Sequence, residues 1–323
     1  MKLEQIGFYT LSDERAKKAS GITHLSRCEL ILTDRCNFKC PYCRGMGQDC
    51  KGDMSFEFAS FVIKWWAFHG LKNIRFSGGE PTLYPKLNDL VTIAKNDEVE
   101  RIAISTNGSA SLKAYMQLIE NGVNDFSISL DACCSATGEK MCGDIKGMWD
   151  IVTYNIQELS KLTYVTVGIV ITEHNLNEAE RIIKLAHDLG VSDIRIIPAA
   201  QFSKNLSVNL KTKEIMEKHP ILKYRINNMI SGKNIRGLEE SDNHFCPLVL
   251  DDMAVAGDSH YPCIIYLREQ GEPIGKFKNL ETVRQERKEW SEKHDCMKDP
   301  ICKNNCLDVC REYSNKWREY HHE

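Results

Sequence analysis

The feature that most constrains the fold of this chain is a regular alternation of short apolar runs with helix-length amphipathic stretches. The apolar runs are rich in β-branched residues, and each is followed by a segment with helical periodicity. This alternation is typical of βαβ units around a parallel sheet. It predicts six strands, at residues 29–33, 73–76, 101–105, 125–130, 164–171 and 193–197. It also predicts helices after the first five strands, at residues 56–69, 85–96, 112–121, 148–159 and 177–189.

The rhythm ends after Pro198, and the rest of the chain has a different pattern. Gly257-Asp258-Ser259 separates two apolar runs, 248–256 and 261–267, which predicts a β-hairpin with Cys246 and Cys263 on its two sides. A helix-like segment and a cluster of cysteines follow. We therefore expect four regions: an N-terminal segment 1–27, an α/β domain 28–202, a connecting helical region 203–245 and a small C-terminal hairpin-plus-helix domain 246–323.

Composition limits the classes of function. Lys+Arg 42 against Asp+Glu 45 gives a formal net charge of −3, so no overall positive field exists to attract nucleic acid or an anionic membrane. The chain has no apolar run long enough to span a bilayer, and its first residues lack the apolar stretch of a signal peptide. We expect a cytoplasmic protein with neither a nucleic-acid nor a membrane partner.

Cysteine is unusually abundant, with 14 residues. The cytoplasm keeps thiols reduced, so this number favours metal-binding or catalytic thiols over disulfides. Cys36, Cys40 and Cys43 follow the first predicted strand in a Cys-x3-Cys-x2-Cys loop. Three thiolates suit an iron–sulfur cubane with one open iron, or a zinc ion with Cys50 or His24 as its fourth ligand. The spacing alone leaves both open.

Small and polar residues follow the next three strands. Gly78, Gly79 and Glu80 end the second strand, where glycine permits close backbone approach and the carboxylate offers an acceptor to an amino group. Ser105-Thr106-Asn107-Gly108 follows the third strand, and Ser129-Leu130-Asp131 follows the fourth. The carboxyl ends of parallel strands share one edge of a sheet, so these groups are expected on one face.

Together, these motifs resemble the radical S-adenosylmethionine (SAM) superfamily, whose signature is Cys-x3-Cys-x-aromatic-Cys with a downstream Gly-Gly-Glu and a Ser-Thr-Asn-Gly strand end. The resemblance covers residues 28–200 and implies an α/β fold, a partial (β/α)6 TIM-like barrel. It implies that Cys36, Cys40 and Cys43 ligate a [4Fe–4S] cluster whose open iron binds S-adenosylmethionine. The implied SAM-binding residues are Tyr42 against the adenine, Gly78, Gly79 and Glu80 at the amino group, and Ser105, Asn107 and Ser129.

The family uses an electron from the cluster to cleave the S–C5′ bond, and the resulting 5′-deoxyadenosyl radical abstracts a hydrogen atom from substrate. The resemblance therefore also implies an electron donor such as flavodoxin or ferredoxin. The C-terminal cysteines resemble the Twitch extension, which holds an auxiliary cluster, here a second [4Fe–4S] cluster with ligands Cys246, Cys263, Cys302 and Cys306. Zinc is the alternative at this site. The related SPASM pattern fits only in part, because Lys293 stands where its first cysteine would be.

Some thiols remain after these assignments. Cys296 and Cys310 are spare, although either could replace one of the four auxiliary ligands, and Cys142 follows the fourth strand. A thiol that returns a hydrogen atom to a substrate radical would make the reaction an epimerisation, so Cys310, Cys296 and Cys142 are candidate hydrogen donors. Burial as small hydrophobic side chains is the alternative for each.

We expect a radical SAM oxidoreductase or epimerase that acts on an aminosugar, an aminocyclitol or a peptide. A purine-nucleotide cyclase like the first enzyme of molybdopterin biosynthesis is a further alternative. That family ends in Gly-Gly, whereas this sequence ends in His321-His322-Glu323, which disfavours it. A methyltransferase relative and a non-catalytic metal-binding scaffold also remain open.

Overall fold

The structure is a computed structural model that describes residues 13–45, 51–201 and 213–321. Cys50, one of the possible zinc ligands, lies outside these residues. The chain divides into two compact units: unit 1 comprises Met1–Arg35, Arg44–Ile102 and Arg236–Glu323, and unit 2 comprises Cys36–Cys43 and Ala103–Ile235. Among the described helices, none combines the length and the apolar character that a membrane crossing requires.

Unit 1 contains a mixed sheet whose first strand in the chain is β1, Arg27–Ile31. This strand is parallel to β2, Asn73–Ser77, on one side and to β7, Asp252–Ala256, on the other. β8, Ser259–Tyr261, runs antiparallel to β7, and β9, Gly275–Lys276, runs antiparallel to β8. β1, which precedes the cysteine loop, and the C-terminal hairpin thus belong to one hydrogen-bonded sheet.

The helices of unit 1 come from both ends of the chain. α2 begins after Ser55, whose hydroxyl caps it by accepting from Phe58 N, and it buries Val62, Ile63 and Trp66. The helices are α1 Asp13–Lys18, α2 Phe56–Phe68, α3 Leu87–Asn96, α10 Ile264–Arg268, α11 Leu280–Lys293, α12 Pro300–Asn305 and α13 Asp308–His321.

Unit 2 contains a fully parallel sheet. β3 Arg101–Thr106 pairs through residues 103–106 with β4 Asp125–Ser129, and β5 Tyr164–Ile171 lies between β4 and β6 Asp193–Pro198. α6 and α7 pack on β5, and α9 packs on β6. The helices are α4 Leu112–Asn121, α5 Ser135–Met141, α6 Met148–Ser160, α7 Ala179–Asp188, α8 Lys213–Lys218 and α9 Pro220–Ile230.

The predicted α/β class with a mostly parallel sheet is confirmed, and each predicted barrel strand matches an observed strand within two residues at either end. The C-terminal hairpin is shorter than predicted. Its first apolar run begins as a 3-10 helix, Pro247–Leu250, and its second run becomes α10 after Tyr261. Pro247 begins the 3-10 helix, and Pro262 directly follows β8, where proline, which lacks an N–H, cannot continue the sheet ladder.

Asp193 connects β6 to α9 through hydrogen bonds, and we expect it to make the stability of unit 2 depend on pH. Its buried carboxylate accepts from Ile194 N at 2.8 Å and from Ile221 N at 3.0 Å, and burial raises its pKa to about 7. The folded state therefore binds the proton more tightly than the unfolded state, so the free energy of unfolding decreases as the pH rises from about 4 to about 7. An Asp193→Asn variant should not show this decrease, which is on the order of 4 kcal/mol. Denaturant unfolding of both proteins at several pH values tests this, and parallel pH profiles would contradict it.

Candidate active site and thiol-lined cavity

The sheet of unit 2 has one apolar face and one polar face. Ile104, Phe126 and Val167 are fully buried, and the side chains at alternate positions are small or polar. On that second face Arg195 Nη2 donates to Ser127 Oγ at 3.3 Å. A β-carbon at Gly168 would lie 3.1 Å from the same nitrogen, so glycine makes room for the guanidinium. Ser105 is half-buried and pairs with Ser127, and Ser129 is exposed at its strand end. A face of hydroxyls around a guanidinium suits a ligand with a carboxylate.

The cysteine loop of unit 2 presents its thiols to the outside. Cys36 and Cys43 are exposed, and Cys40 is half-buried. Burial raises the pKa of the Cys40 thiol to about 12, so a thiolate at this position calls for a cation beside it. Asn107 Nδ2 donates to Asn37 Oδ1 at 2.9 Å and lies 3.9 Å from Cys36 Sγ. The predicted contact residue at the end of β3 therefore touches the cysteine loop itself.

Tyr42 anchors the cysteine loop to the ends of three strands. Its hydroxyl donates to Asp131 Oδ2 at 2.5 Å, and the other oxygen of that carboxylate accepts from Val170 N at 2.6 Å. Gln201 Nε2 donates to the carbonyl oxygen of Tyr42 at 3.2 Å. Burial raises the pKa of Asp131 to about 6 although both hydrogen bonds favour its charged form. The sequence pattern identifies both Tyr42 and Asp131, which follows the end of β4, but it does not predict the contact between them.

Cys142 supports the same loop from another side. The side chain is 5% exposed, and its thiol donates to Glu139 O at 3.2 Å. The carbonyl oxygen of Cys142 accepts from Lys39 N at 2.9 Å, and a β-carbon at Gly143 would lie 2.7 Å from Lys39 Cβ. These contacts favour a packing role, and hydrogen donation by Cys142 stays a prediction.

A Tyr42→Phe variant should hold iron less firmly. The ring is kept, but one hydrogen bond to a buried carboxylate is lost, and a hydrogen bond to a charged group contributes about 1.5–3 kcal/mol. We expect iron loss to a chelator to become at least about tenfold faster. Tyr154→Phe is the matched control, because Tyr154 is an exposed residue of α6. Equal rates of iron loss in wild type and Tyr42→Phe would show that this anchor does not hold the loop.

The glycine turn of unit 1 packs against the end of β1. Gly79 N donates to Thr33 O at 2.7 Å, and Glu80 N donates to Arg35 O at 2.8 Å. A β-carbon at Gly78 would lie 2.4 Å from Thr33 O, and one at Gly79 would lie 2.3 Å from Arg35 O. Both glycines are therefore required by close backbone approach.

Glu80 has a structural partner that the sequence did not indicate. Its side chain is fully buried, and Oε1 accepts from Thr82 N at 3.1 Å and from Thr82 Oγ1 at 2.7 Å. It thereby caps the 3-10 helix Pro81–Leu83. Its predicted contact with an amino group of a ligand remains a prediction.

α10 is hydrogen-bonded to the glycine turn of unit 1. Arg268 Nη2 donates to Gly78 O at 2.7 Å. The next residue, Glu269, forms an ion pair with Arg44, which directly follows the cysteine loop in the chain. The helix that begins after Cys263 therefore contacts the glycine turn.

A cavity in unit 1 brings the C-terminal cysteines together. Aromatic side chains such as Tyr266 and Trp290 form part of its wall. The six thiols that line it are Cys246, Cys263, Cys296, Cys302, Cys306 and Cys310. The four predicted auxiliary ligands and the two spare thiols thus belong to one site, and a set of this size fits an iron–sulfur cluster.

Arg287 connects two segments of this cavity, the one that contains Cys246 and the one that contains Cys263. It is fully buried, and it donates to Val249 O at 2.9 Å, to Tyr261 O at 2.9 Å and to Asp252 O. A fourth contact reaches Pro262 O at 3.2 Å. One guanidinium therefore links the turn after Cys246 to the hairpin before Cys263.

Comparison with known proteins decides the family. The family model described as the radical SAM superfamily matches residues 30–193, half of the chain. The chain belongs to the radical SAM superfamily. Membership implies a [4Fe–4S] cluster and S-adenosylmethionine as cofactors.

Individual relatives carry more specific names. A probable GTP 3′,8-cyclase of Metallosphaera sedula is 27% identical over 177 residues, which span 54% of this chain and 55% of that protein. A probable GTP 3′,8-cyclase of Methanocaldococcus jannaschii is 25% identical over 271 residues, 78% of this chain and 90% of that protein. Among solved structures, Streptococcus suis SuiB bound to precursor peptide SuiA superposes with a TM-score of 0.62 at 14% identity, covering 90% of this chain and 76% of SuiB. That likeness shows a shared fold.

Proposed function

We propose that this radical SAM enzyme removes a hydrogen atom from an unactivated carbon of a peptide or of an aminosugar or aminocyclitol, and that the net reaction is oxidation. The observation that carries this proposal is the cavity lined by six thiols. A cluster held there entirely by thiolates has no open iron for substrate, and it would supply an electron acceptor. Dehydrogenation requires such an acceptor, because the substrate loses a second electron and a proton after the first hydrogen atom.

The residues of unit 2 have separate roles in this proposal. Cys36, Cys40 and Cys43 would hold the cluster that supplies the electron for cleavage of S-adenosylmethionine. Tyr42 and Asp131 keep the cysteine loop in place through their 2.5 Å hydrogen bond. Arg195 offers a guanidinium on the polar sheet face, where it would bind a carboxylate of the cofactor or of the substrate.

The likeness to SuiB supports a peptide as the first substrate class to test, because that enzyme is described with a bound precursor peptide. Epimerisation is the variant of the proposal in which Cys310, Cys296 or Cys142 returns a hydrogen atom. A GTP cyclase is the second candidate function, and the names of the two curated relatives favour it.

One assay separates these reactions. The reconstituted enzyme is incubated anaerobically with S-adenosylmethionine, a reductant and, separately, GTP, a peptide pool or an aminosugar and aminocyclitol set, in H2O and in D2O. Oxidation gives a product that lacks two hydrogens and carries no solvent deuterium, with one 5′-deoxyadenosine per product. Epimerisation gives an unchanged formula with one deuterium from solvent. GTP consumption matched to 5′-deoxyadenosine would establish the cyclase and overturn the proposal.

A further inference from the structure

An imidazole lies directly beside two thiols of the cavity. His294 Nε2, Cys296 Sγ and Cys302 Sγ all lie within 4.8 Å of one another. The distance between His294 Nε2 and Cys302 Sγ is 3.6 Å. Cys296 is 5% exposed, and the His294 side chain is 16% exposed. Three soft or borderline donors are thus gathered at one point in a largely buried environment.

The spacing of these donors fits a single metal ion. In a tetrahedral zinc site, bond lengths of about 2.3 Å to sulfur and about 2.0 Å to nitrogen place the two donors about 3.6 Å apart. The observed 3.6 Å between His294 and Cys302 therefore matches two ligands of one ion.

The imidazole is held in this orientation by its surroundings. The ring of Trp290 stacks on His294 with centroids 3.9 Å apart and planes 17° apart. Tyr266 meets the same ring edge-on at 6.1 Å. Asp299 Oδ2 lies 3.7 Å from His294 Nε2, too far for a hydrogen bond, and it accepts from Tyr266 OH at 3.0 Å instead. The stack leaves Nε2 directed at the thiols.

Four thiols of the cavity lie outside this set: Cys246, Cys263, Cys306 and Cys310. Four thiolates are what an all-cysteine cluster takes. Cys246 also contacts Cys296, so the two groups adjoin.

We propose that His294, Cys296 and Cys302 form a zinc site in which one ion is bound by Nε2 and two thiolates and the fourth position is open to water. The zinc site is independent of the proposed reaction. Its corollary rests on the proposed function: Cys310 takes the place of Cys302 among the ligands of the auxiliary cluster, giving Cys246, Cys263, Cys306 and Cys310.

Metal analysis of the anaerobically reconstituted full-length protein tests the site without substrate or S-adenosylmethionine. After incubation with Zn2+ and gel filtration, wild type should retain about one zinc per chain. His294→Ala should bind Zn2+ at least about tenfold more weakly in a chelator competition, with iron unchanged. His244→Ala is the matched control, since that exposed histidine belongs to the same unit and pairs with Asp295. Cys310→Ala should lower iron and leave zinc in place.

A second variant distinguishes the loss of a metal ligand from a disturbance of the fold. His294→Cys keeps a soft donor, so it should restore zinc binding, and its Co2+ form should show stronger thiolate-to-metal absorption than the Co2+ form of wild type. Loss of iron instead of zinc in His294→Ala would make the imidazole a cluster ligand and overturn the zinc site. Unchanged zinc affinity in His294→Ala would overturn it as well. Absence of substrate turnover in wild type would refute only the proposed function.

Discussion

Replacing Cys36, Cys40 and Cys43 together with alanine should abolish 5′-deoxyadenosine formation from S-adenosylmethionine and a reductant. The three thiols are the predicted ligands of the cluster that supplies the electron, and they lie on one loop with two of them exposed. Ligand counting predicts about eight irons per chain in reconstituted wild type and about four in the variant. Iron quantification and chromatography of the nucleoside product measure both effects.

A Cys28→Ala variant is a suitable control for this experiment. Cys28 is fully buried in β1, so its thiol is expected to pack and not to bind metal. Its iron content and SAM cleavage should match those of wild type. Residual cleavage in the triple variant, or wild-type protein that is fully loaded with iron and inactive, would contradict the assignment of the loop.

Replacing Arg287 with methionine should produce the largest loss of stability among the substitutions considered. Methionine fills a similar volume but leaves the carbonyl oxygens of Val249, Asp252, Tyr261 and Pro262 without their donor. Each buried acceptor left unsatisfied costs about 1–3 kcal/mol, so a total of at least about 3 kcal/mol is expected. Denaturant unfolding followed by circular dichroism measures it.

The Arg287 experiment has a close control in the same helix. Lys288→Met changes a neighbouring side chain that is 48% exposed and should shift stability by less than about 0.5 kcal/mol. Because Arg287 joins the segments that carry Cys246 and Cys263, Arg287→Met should also lower the iron content of the cavity. Unchanged stability and iron in Arg287→Met would show that water replaces the guanidinium at these carbonyls.

The barrel strands could be predicted because local sequence determines them. β4 and β5 are apolar at alternate positions that face the helices, and Gly122 ends α4 with a positive φ of 130° before the chain returns to the sheet. The sequence predicts the position of the hairpin correctly, but the predicted strands are longer than the observed ones. Tyr261–Leu267 is apolar enough for a strand, but Cys263 caps α10 by accepting from Tyr266 N, which periodicity does not reveal.

The sequence predicts which residues could form the candidate site, but it does not predict the contacts that hold these residues in place. The spacing of Cys36, Cys40 and Cys43 is a local pattern, and so is the glycine turn. The contact of Tyr42 with Asp131 spans 89 residues, and that of Arg268 with Gly78 spans 190. Contacts at such separation depend on how strands are arranged in space, which a single sequence does not encode locally. The sequence does not predict a role for His294, because the SPASM pattern is defined by the spacing of cysteines and Lys293 occupies the position of its first cysteine.

The attachment of α10 changes how variants of the cavity thiols should be interpreted. This five-residue helix starts at the cap residue Cys263, and its far end is bonded to Gly78 and, through Glu269, to Arg44. A shift of Cys263 on metal loss would therefore be transmitted mechanically to the glycine turn. Because the glycine turn is predicted to bind S-adenosylmethionine, we expect metal loss from the cavity to change the affinity for S-adenosylmethionine. An inactive Cys263 variant is evidence for electron transfer only when its Kd for S-adenosylmethionine equals that of wild type.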